Sequence, residues 1–107
     1  MAVTVEQEES GLCRISVEGE MTIYNALELK SELLAPMAQG DTIEINLAGV
    51  SEIDASGLQL LILAKTEAQT QNKTLQLTGH SPTVLETLEL CDLEGFFGDT
   101  VLIHAAK

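Results

Sequence analysis

The segment from residue 44 to residue 63 constrains the fold more than any other part of the chain. It begins with apolar and polar residues in alternation, the pattern of a half-buried strand, and it ends in a nearly uninterrupted apolar run that favours a helix. A short polar loop separates the two patterns and carries Asp54, Ser56 and Gly57 directly before the helix. A strand that passes into a helix through so short a loop is typical of an α/β domain.

Strand and helix patterns also alternate on both sides of this segment. The first two predicted strands form a hairpin about a turn at Ser10–Gly11. The predicted strands cover residues 3–8, 12–18, 42–47, 74–79 and 101–103, and the predicted helices begin near Asn25, Leu58 and Ser81. After the hairpin, strands and helices alternate with short connections, which implies that successive strands are parallel and joined by helical crossovers. We therefore predict one α/β domain over residues 1–107, with a mostly parallel or mixed central sheet of about four or five strands and helices packed against it.

Capping residues mark the ends of the predicted helices. Asn25 is followed three residues later by Glu28, which resembles a capping box. The pair Ser81–Pro82 places a capping serine before a proline at the first helical position. Pro36 is expected to disturb the last turn of the first helix, and Gly40 is expected to end that turn.

The composition narrows the possible functions. The chain has 17 acidic and 5 basic residues and a formal net charge of −12. Nucleic-acid binding is not expected, because affinity for phosphate backbones depends on Lys and Arg. The acidity serves either solubility or a basic partner. No apolar run reaches the roughly 20 residues that cross a bilayer, and the N-terminal residues lack the basic region of a signal peptide. We therefore expect no membrane insertion and a cytoplasmic location.

Residues for catalysis or for binding a metal or a cofactor do not cluster in the sequence. No nucleophile has a recognisable base beside it, and no Gly-rich phosphate loop is present. The histidines and cysteines lie too far apart for a metal-ligand pattern. We expect no enzyme activity, metal or cofactor, an exposed loop position for His80, and reduced core cysteines at Cys13 and Cys91.

Ser56 allows two interpretations. It is expected at the first position of a helix, where free backbone N–H groups and the positive end of the helix dipole would accept a phosphate. Gly57 permits tight backbone geometry there, and Ala55 leaves Ser56 without a neighbouring hydroxyl. In the first interpretation the serine only caps the helix, and in the second it is a site of regulatory phosphorylation. The spacing of the residues around Ser56 favours the first interpretation, in which the serine caps the helix.

The helix after Ser56 is apolar on more than one side. Leu58, Leu61 and Ile62 lie on one stripe, and Leu60 and Leu63 lie largely on another. Two stripes are difficult to bury for a helix on the surface of a small domain. Either the helix is unusually buried, or part of Leu58, Leu60 and Leu61 stays exposed as a docking surface for a partner.

The segment Asp54-Ala55-Ser56-Gly57-Leu58, after an apolar strand, resembles the corresponding motif of the STAS domain family. The resemblance extends over essentially the whole chain and is strongest to the small stand-alone anti-sigma factor antagonists. It implies a fold of β/α units around a mostly parallel, partly mixed sheet.

The resemblance also implies partner switching. In that family the unphosphorylated domain binds an anti-sigma factor that is also a serine kinase. Phosphorylation of the motif serine, which corresponds to Ser56, blocks binding, and a phosphatase restores it. Asp54 would shape the loop or contact the kinase, and Ala55, Gly57, Leu58 and Leu61 would complete the partner-binding surface. An alternative within the same family is a small cytoplasmic accessory subunit of a membrane transport complex for phospholipids, in which the serine motif serves only structure or docking.

Overall fold

The computed structural model describes residues 2–90, which form a four-stranded sheet in the order β1-β2-β3-β4. Strand β1 pairs antiparallel with β2, and the β2–β3 and β3–β4 pairs are parallel. The strands are β1 (Ala2–Gln7), β2 (Leu12–Met21), β3 (Thr42–Ile53) and β4 (Thr74–Thr78), and the helices are α1 (Ala26–Leu34), a 3₁₀ helix (Ala35–Gln39), α2 (Ala55–Thr70) and α3 (Pro82–Leu90). The predicted α/β class with a mixed sheet is confirmed. The predicted strand over 101–103 and Cys91 lie outside the described residues.

The helices cover one face of the sheet. Alternate residues of β2, β3 and β4 point toward them and join the buried residues of all three α-helices in a single core, because the side-chain period of a strand is two. The opposite face is polar. Glu44 accepts hydrogen bonds there from the Arg14 guanidinium at 3.1 Å and from the Thr78 hydroxyl at 3.2 Å. The ends of β2 and β3 and the start of α2 lie together at the carboxyl edge of the sheet.

Strand β3 is longer than predicted. It continues from residue 47 to Ile53, because its second half pairs with the end of β2. The ladder is irregular there: Gly19 lies opposite Val50 but Glu20 lies opposite Glu52, so Ser51 has no counterpart on β2. An extra residue of this kind is a β-bulge. The expected polar loop before α2 is therefore mostly strand.

Several helix predictions can be compared with the observed ends. Pro36 does end the regular α1 helix, since the chain continues as a 3₁₀ turn. Ser81 does cap α3, with its Oγ accepting from the Val84 N–H at 3.2 Å. The capping box at Asn25 was wrong. The Asn25 side chain does not cap α1; its Oδ1 accepts from the Thr22 N–H at 2.9 Å and its Nδ2 donates to the Glu20 carbonyl.

His80 was predicted to be exposed, and that prediction was wrong. It is 9% exposed, because α3 packs back onto β3 directly after the β4–α3 connection and covers it. Cys13 is buried and reduced, as predicted, and burial raises the pKa of its thiol. Within residues 2–90 no helix combines the length and the apolar character that a membrane-crossing helix requires.

Candidate functional site

The start of α2 lies against the end of β2, and Asp54 holds the two together. Its backbone N–H donates to the Met21 carbonyl at 3.2 Å. Its Oδ1 accepts from the N–H groups of Ser56 at 2.9 Å and Gly57 at 3.1 Å, and its Oδ2 accepts from the Ile23 N–H at 3.0 Å. One carboxylate thus caps α2 and fixes the turn that follows β2.

These bonds also hold the Asp54 carboxyl in its charged form. The Ile23 N–H lowers its pKa most, and the Gly57 and Ser56 N–H groups lower it further. Hydrogen bonds from N–H donors stabilise a carboxylate and not the neutral acid. Asp54 therefore brings a fixed negative charge to the helix start, where the dipole favours one.

Ser56 is the second residue of α2, and the expectation that it caps the helix was wrong. Because β3 extends to Ile53, only Asp54 is left between strand and helix, so Asp54 occupies the capping position. The expectation of free N–H groups beside the serine was also wrong, since those of Ser56 and Gly57 are bound by Asp54. The Ser56 and Gly57 N–H groups are therefore not free to bind a phosphate.

The Ser56 hydroxyl, in contrast, takes no part in capping α2. Within residues 2–90 it makes no hydrogen bond to the protein, and its side chain is half-buried. Ala55 beside it is exposed. The hydroxyl therefore lies at the start of a capped helix and has no internal hydrogen bond that must break before it reacts.

Gly57 is required by close packing. A Cβ atom at this position would lie 2.1 Å from the Met21 carbonyl oxygen and 2.8 Å from the Met21 Cβ. Cβ atoms do not approach other heavy atoms so closely, so only glycine lets α2 start this near to β2. Gly57 positions Ser56 by packing and is itself buried.

Of the two alternatives for the helix after Ser56, the structure shows the unusually buried one. Leu61 is 0% exposed and Leu58 is 8% exposed, and both belong to the core. Leu60 and Ile62 are half-buried and pack against that core. The helix is buried on two sides because α2 packs both against the sheet and against the neighbouring helix α1. The accessible part of the predicted site is thus Asp54, Ala55 and Ser56, while Gly57, Leu58 and Leu61 support it from inside.

Sequence reasoning missed three exposed apolar side chains next to this site. Ile23 is 67% exposed, Tyr24 is 95% exposed and Leu27 is 83% exposed. For Leu27 the helical periodicity could have indicated exposure, because this residue lies outside the buried stripe of α1 that Leu29 and Leu33 form.

Within residues 2–90 no group of three His, Cys, Asp or Glu side chains is placed to hold a metal ion, and no pocket opens for a small ligand. The accessible polar groups at the start of α2 are the Ser56 hydroxyl and the Asp54 carboxylate.

The fold and the Asp54–Ser56 motif define a STAS-type domain, and comparison with known proteins agrees. The family model described as "Mlab, STAS domain" matches residues 4–103. The chain belongs to the STAS domain family.

Its relatives include anti-sigma factor antagonists. The chain is 32% identical over 82 residues to an anti-sigma-B factor antagonist of Staphylococcus epidermidis, covering 75% of each chain. The fold is similar to that of an anti-sigma factor antagonist from Mycobacterium paratuberculosis, with a TM-score of 0.80, 21% identity and coverage of 99% of this chain and 94% of that one. It is also similar to the phosphorylated form of SpoIIAA, a Bacillus cell fate determinant, with a TM-score of 0.69, 20% identity and coverage of 90% and 87%.

Proposed function

We propose that this protein is a non-enzymatic partner-switching protein of the anti-sigma factor antagonist type, acting in the cytoplasm. In its unphosphorylated form it binds an anti-sigma factor that is also a serine kinase. Phosphorylation of Ser56 by that kinase releases the partner, and a phosphatase reverses the change.

The observation that carries this proposal is the state of the Ser56 hydroxyl. It has no hydrogen bond to residues 2–90, so its modification breaks no internal hydrogen bond. The start of α2, capped by Asp54, presents it beside exposed Ala55. The relationship to an anti-sigma-B factor antagonist and the existence of a phosphorylated form of SpoIIAA support the same interpretation.

The bound N–H groups suggest how the phosphate acts. A phosphoserine carries about 1.5 to 2 negative charges. Because Asp54 already accepts from the Ser56 and Gly57 N–H groups, the phosphate would gain no neutralising bond from them and would lie close to a second negative charge. Its charge would therefore face the partner and oppose docking by the cost of removing water from a charged group in the contact.

The test is incubation of the purified protein with ATP and the candidate serine kinase from the same genome, followed by mass spectrometry of the peptides. We expect one phosphate, on Ser56, which Ser56→Ala abolishes. Ser51→Ala is the matched control, because Ser51 is an exposed serine at the end of β3 and its loss should leave phosphorylation intact. A phosphate that persists in Ser56→Ala would contradict the proposal.

A binding measurement separates the switch from the alternative role as a transport-complex subunit. Ser56→Asp should weaken binding to the kinase by about tenfold or more, whereas Ser56→Ala should bind as the unmodified protein does. An accessory subunit would co-purify with an ATPase of the complex and would tolerate Ser56→Asp.

A further inference from the structure

An exposed apolar cluster lies beside the Ser56 site. Its members are Ile23, Tyr24 and Leu27, which are 67%, 95% and 83% exposed. The Ile23 N–H donates to Asp54 Oδ2 at 3.0 Å, so the cluster is joined directly to the capping residue of α2. Isolated exposed apolar residues are common, but three within five positions form a patch of the kind that marks an interaction surface.

Two acidic residues border this cluster on the side of the sheet. Glu20 and Glu52 are both exposed and lie directly opposite each other on β2 and β3. The bulge at Ser51 creates this pairing, because without it Glu20 would face a different residue. The Glu20 backbone carbonyl accepts from the Asn25 side chain, which fixes the end of β2 to the turn that carries the apolar cluster. Two like charges at neighbouring surface positions make this end of the sheet locally acidic and suit a Lys or Arg of a partner.

From these two observations we infer that the cluster of Ile23, Tyr24 and Leu27 with the Glu20–Glu52 pair is a docking surface for a partner protein whose contact face has apolar residues flanked by Lys or Arg. The inference rests on the proposed function in one respect: we identify that partner as the serine kinase that modifies Ser56. The net charge of −12 makes a second copy of this chain an unsuitable occupant, since both acidic pairs would meet like charge.

The docking surface is connected to the Ser56 site through Asp54. Asp54 bonds to Ile23 through one oxygen and to Ser56 through the other. A partner that covers Tyr24 is therefore held beside the serine, and its apolar contacts supply binding that the polar serine site does not.

The test is site-specific photo-crosslinking in cells of the source organism, with p-benzoylphenylalanine at position 24. The control position is Gln76, which is exposed on β4 on the polar face of the sheet. We expect a covalent adduct at position 24 only, formed with a protein whose crosslinked peptide carries Lys or Arg beside apolar residues. The adduct should disappear when Glu20→Lys and Glu52→Lys are combined.

The crosslinked protein is then purified and its affinity measured by calorimetry. Ile23→Thr and Leu27→Gln should each weaken binding by about tenfold. Val5→Thr is the matched control, since Val5 is also an exposed apolar residue, at 41%, but lies on β1, and its change should have less than about twofold effect. Glu20→Gln with Glu52→Gln should reduce the salt dependence of binding.

No adduct at position 24, an adduct with a second copy of this chain, or equal adducts at positions 24 and 76 would overturn the inference. The adduct is sought in the Ser56→Ala background, which stays in the binding form, and the phosphate is sought separately, by mass spectrometry after incubation of the Ser56 protein with the purified partner and ATP. A specific adduct with a partner that adds no phosphate to Ser56 contradicts the switch but supports the surface. Phosphate added to Ser56 by a kinase that forms no adduct at position 24 contradicts the surface but supports the switch.

Discussion

The contact between Gly57 and Met21 allows a quantitative test of how the site is built. In Gly57→Ala the new Cβ would lie 2.1 Å from the Met21 carbonyl oxygen, and a separation of at least 3.0 Å is needed, so α2 and β2 must move apart by about 0.9 Å. Rotation of a side chain cannot relieve this clash, because the contact is with backbone. Overpacking of this kind costs about 1 to 3 kcal/mol, whereas alanine favours a helix over glycine by at most about 1 kcal/mol.

The contact is with rigid backbone, so we expect the steric cost to exceed the gain in helix propensity and Gly57→Ala to lower the free energy of unfolding by about 1 to 2 kcal/mol. For a domain of this size that corresponds to a fall in Tm of roughly 5 to 10 °C. Urea denaturation followed by circular dichroism measures the change. Gly49→Ala is the control, because its Cβ would meet mainly the flexible side chain of Glu18 at 2.7 Å. If Gly57→Ala is as stable as the unmodified protein, or more stable, the close contact between α2 and β2 is refuted.

Three further predictions concern the core, the helix cap and the thiol. Leu61→Ala should destabilise the protein by about 2 to 5 kcal/mol in urea denaturation, because Leu61 is fully buried; a change below 0.5 kcal/mol, as for a surface residue, would contradict its position. The lowered pKa of Asp54 gives a contribution to stability that is present above about pH 4 and is lost as the pH falls through its folded pKa, so an acid titration of Asp54→Asn should lack that part of the decline. Cys13 should be alkylated by iodoacetamide only after unfolding, as peptide mapping would show, because burial raises its pKa and restricts access; rapid alkylation of the folded protein would disprove this.

The sequence was sufficient to predict those helices and strands that a local residue pattern specifies. The alternation around Ile15 and Ile45 and the Ser81–Pro82 cap predicted β2, the first half of β3 and the start of α3. It was insufficient where pairing partners decide the outcome. Residues 48–53 have no regular alternation and contain glycine, yet they form strand because the end of β2 lies beside them.

The errors at the site follow from that extension. The position of the cap depends on where β3 stops, and a sequence pattern cannot show that Asp54, two residues before Ser56, is left as the only connection. The burial of Leu58 and Leu61 likewise depends on the packing of α2 against α1, which comes from a distant part of the chain. Ser56 lies in the first turn of α2, close to the predicted position, but the role of the cap belongs to Asp54.

The bond between Asp54 and Ile23 has a consequence for recognition. It joins residues 31 positions apart, so the turn after β2 and the start of α2 meet only when β2 and β3 have paired. A partner that contacted both would recognise a discontinuous epitope. A peptide spanning only residues 50–65 would lack half of that epitope, and an unfolded chain would present neither half in the correct geometry. Binding of the proposed kind would therefore depend on a completed domain, and such a partner would distinguish folded molecules from unfolded ones.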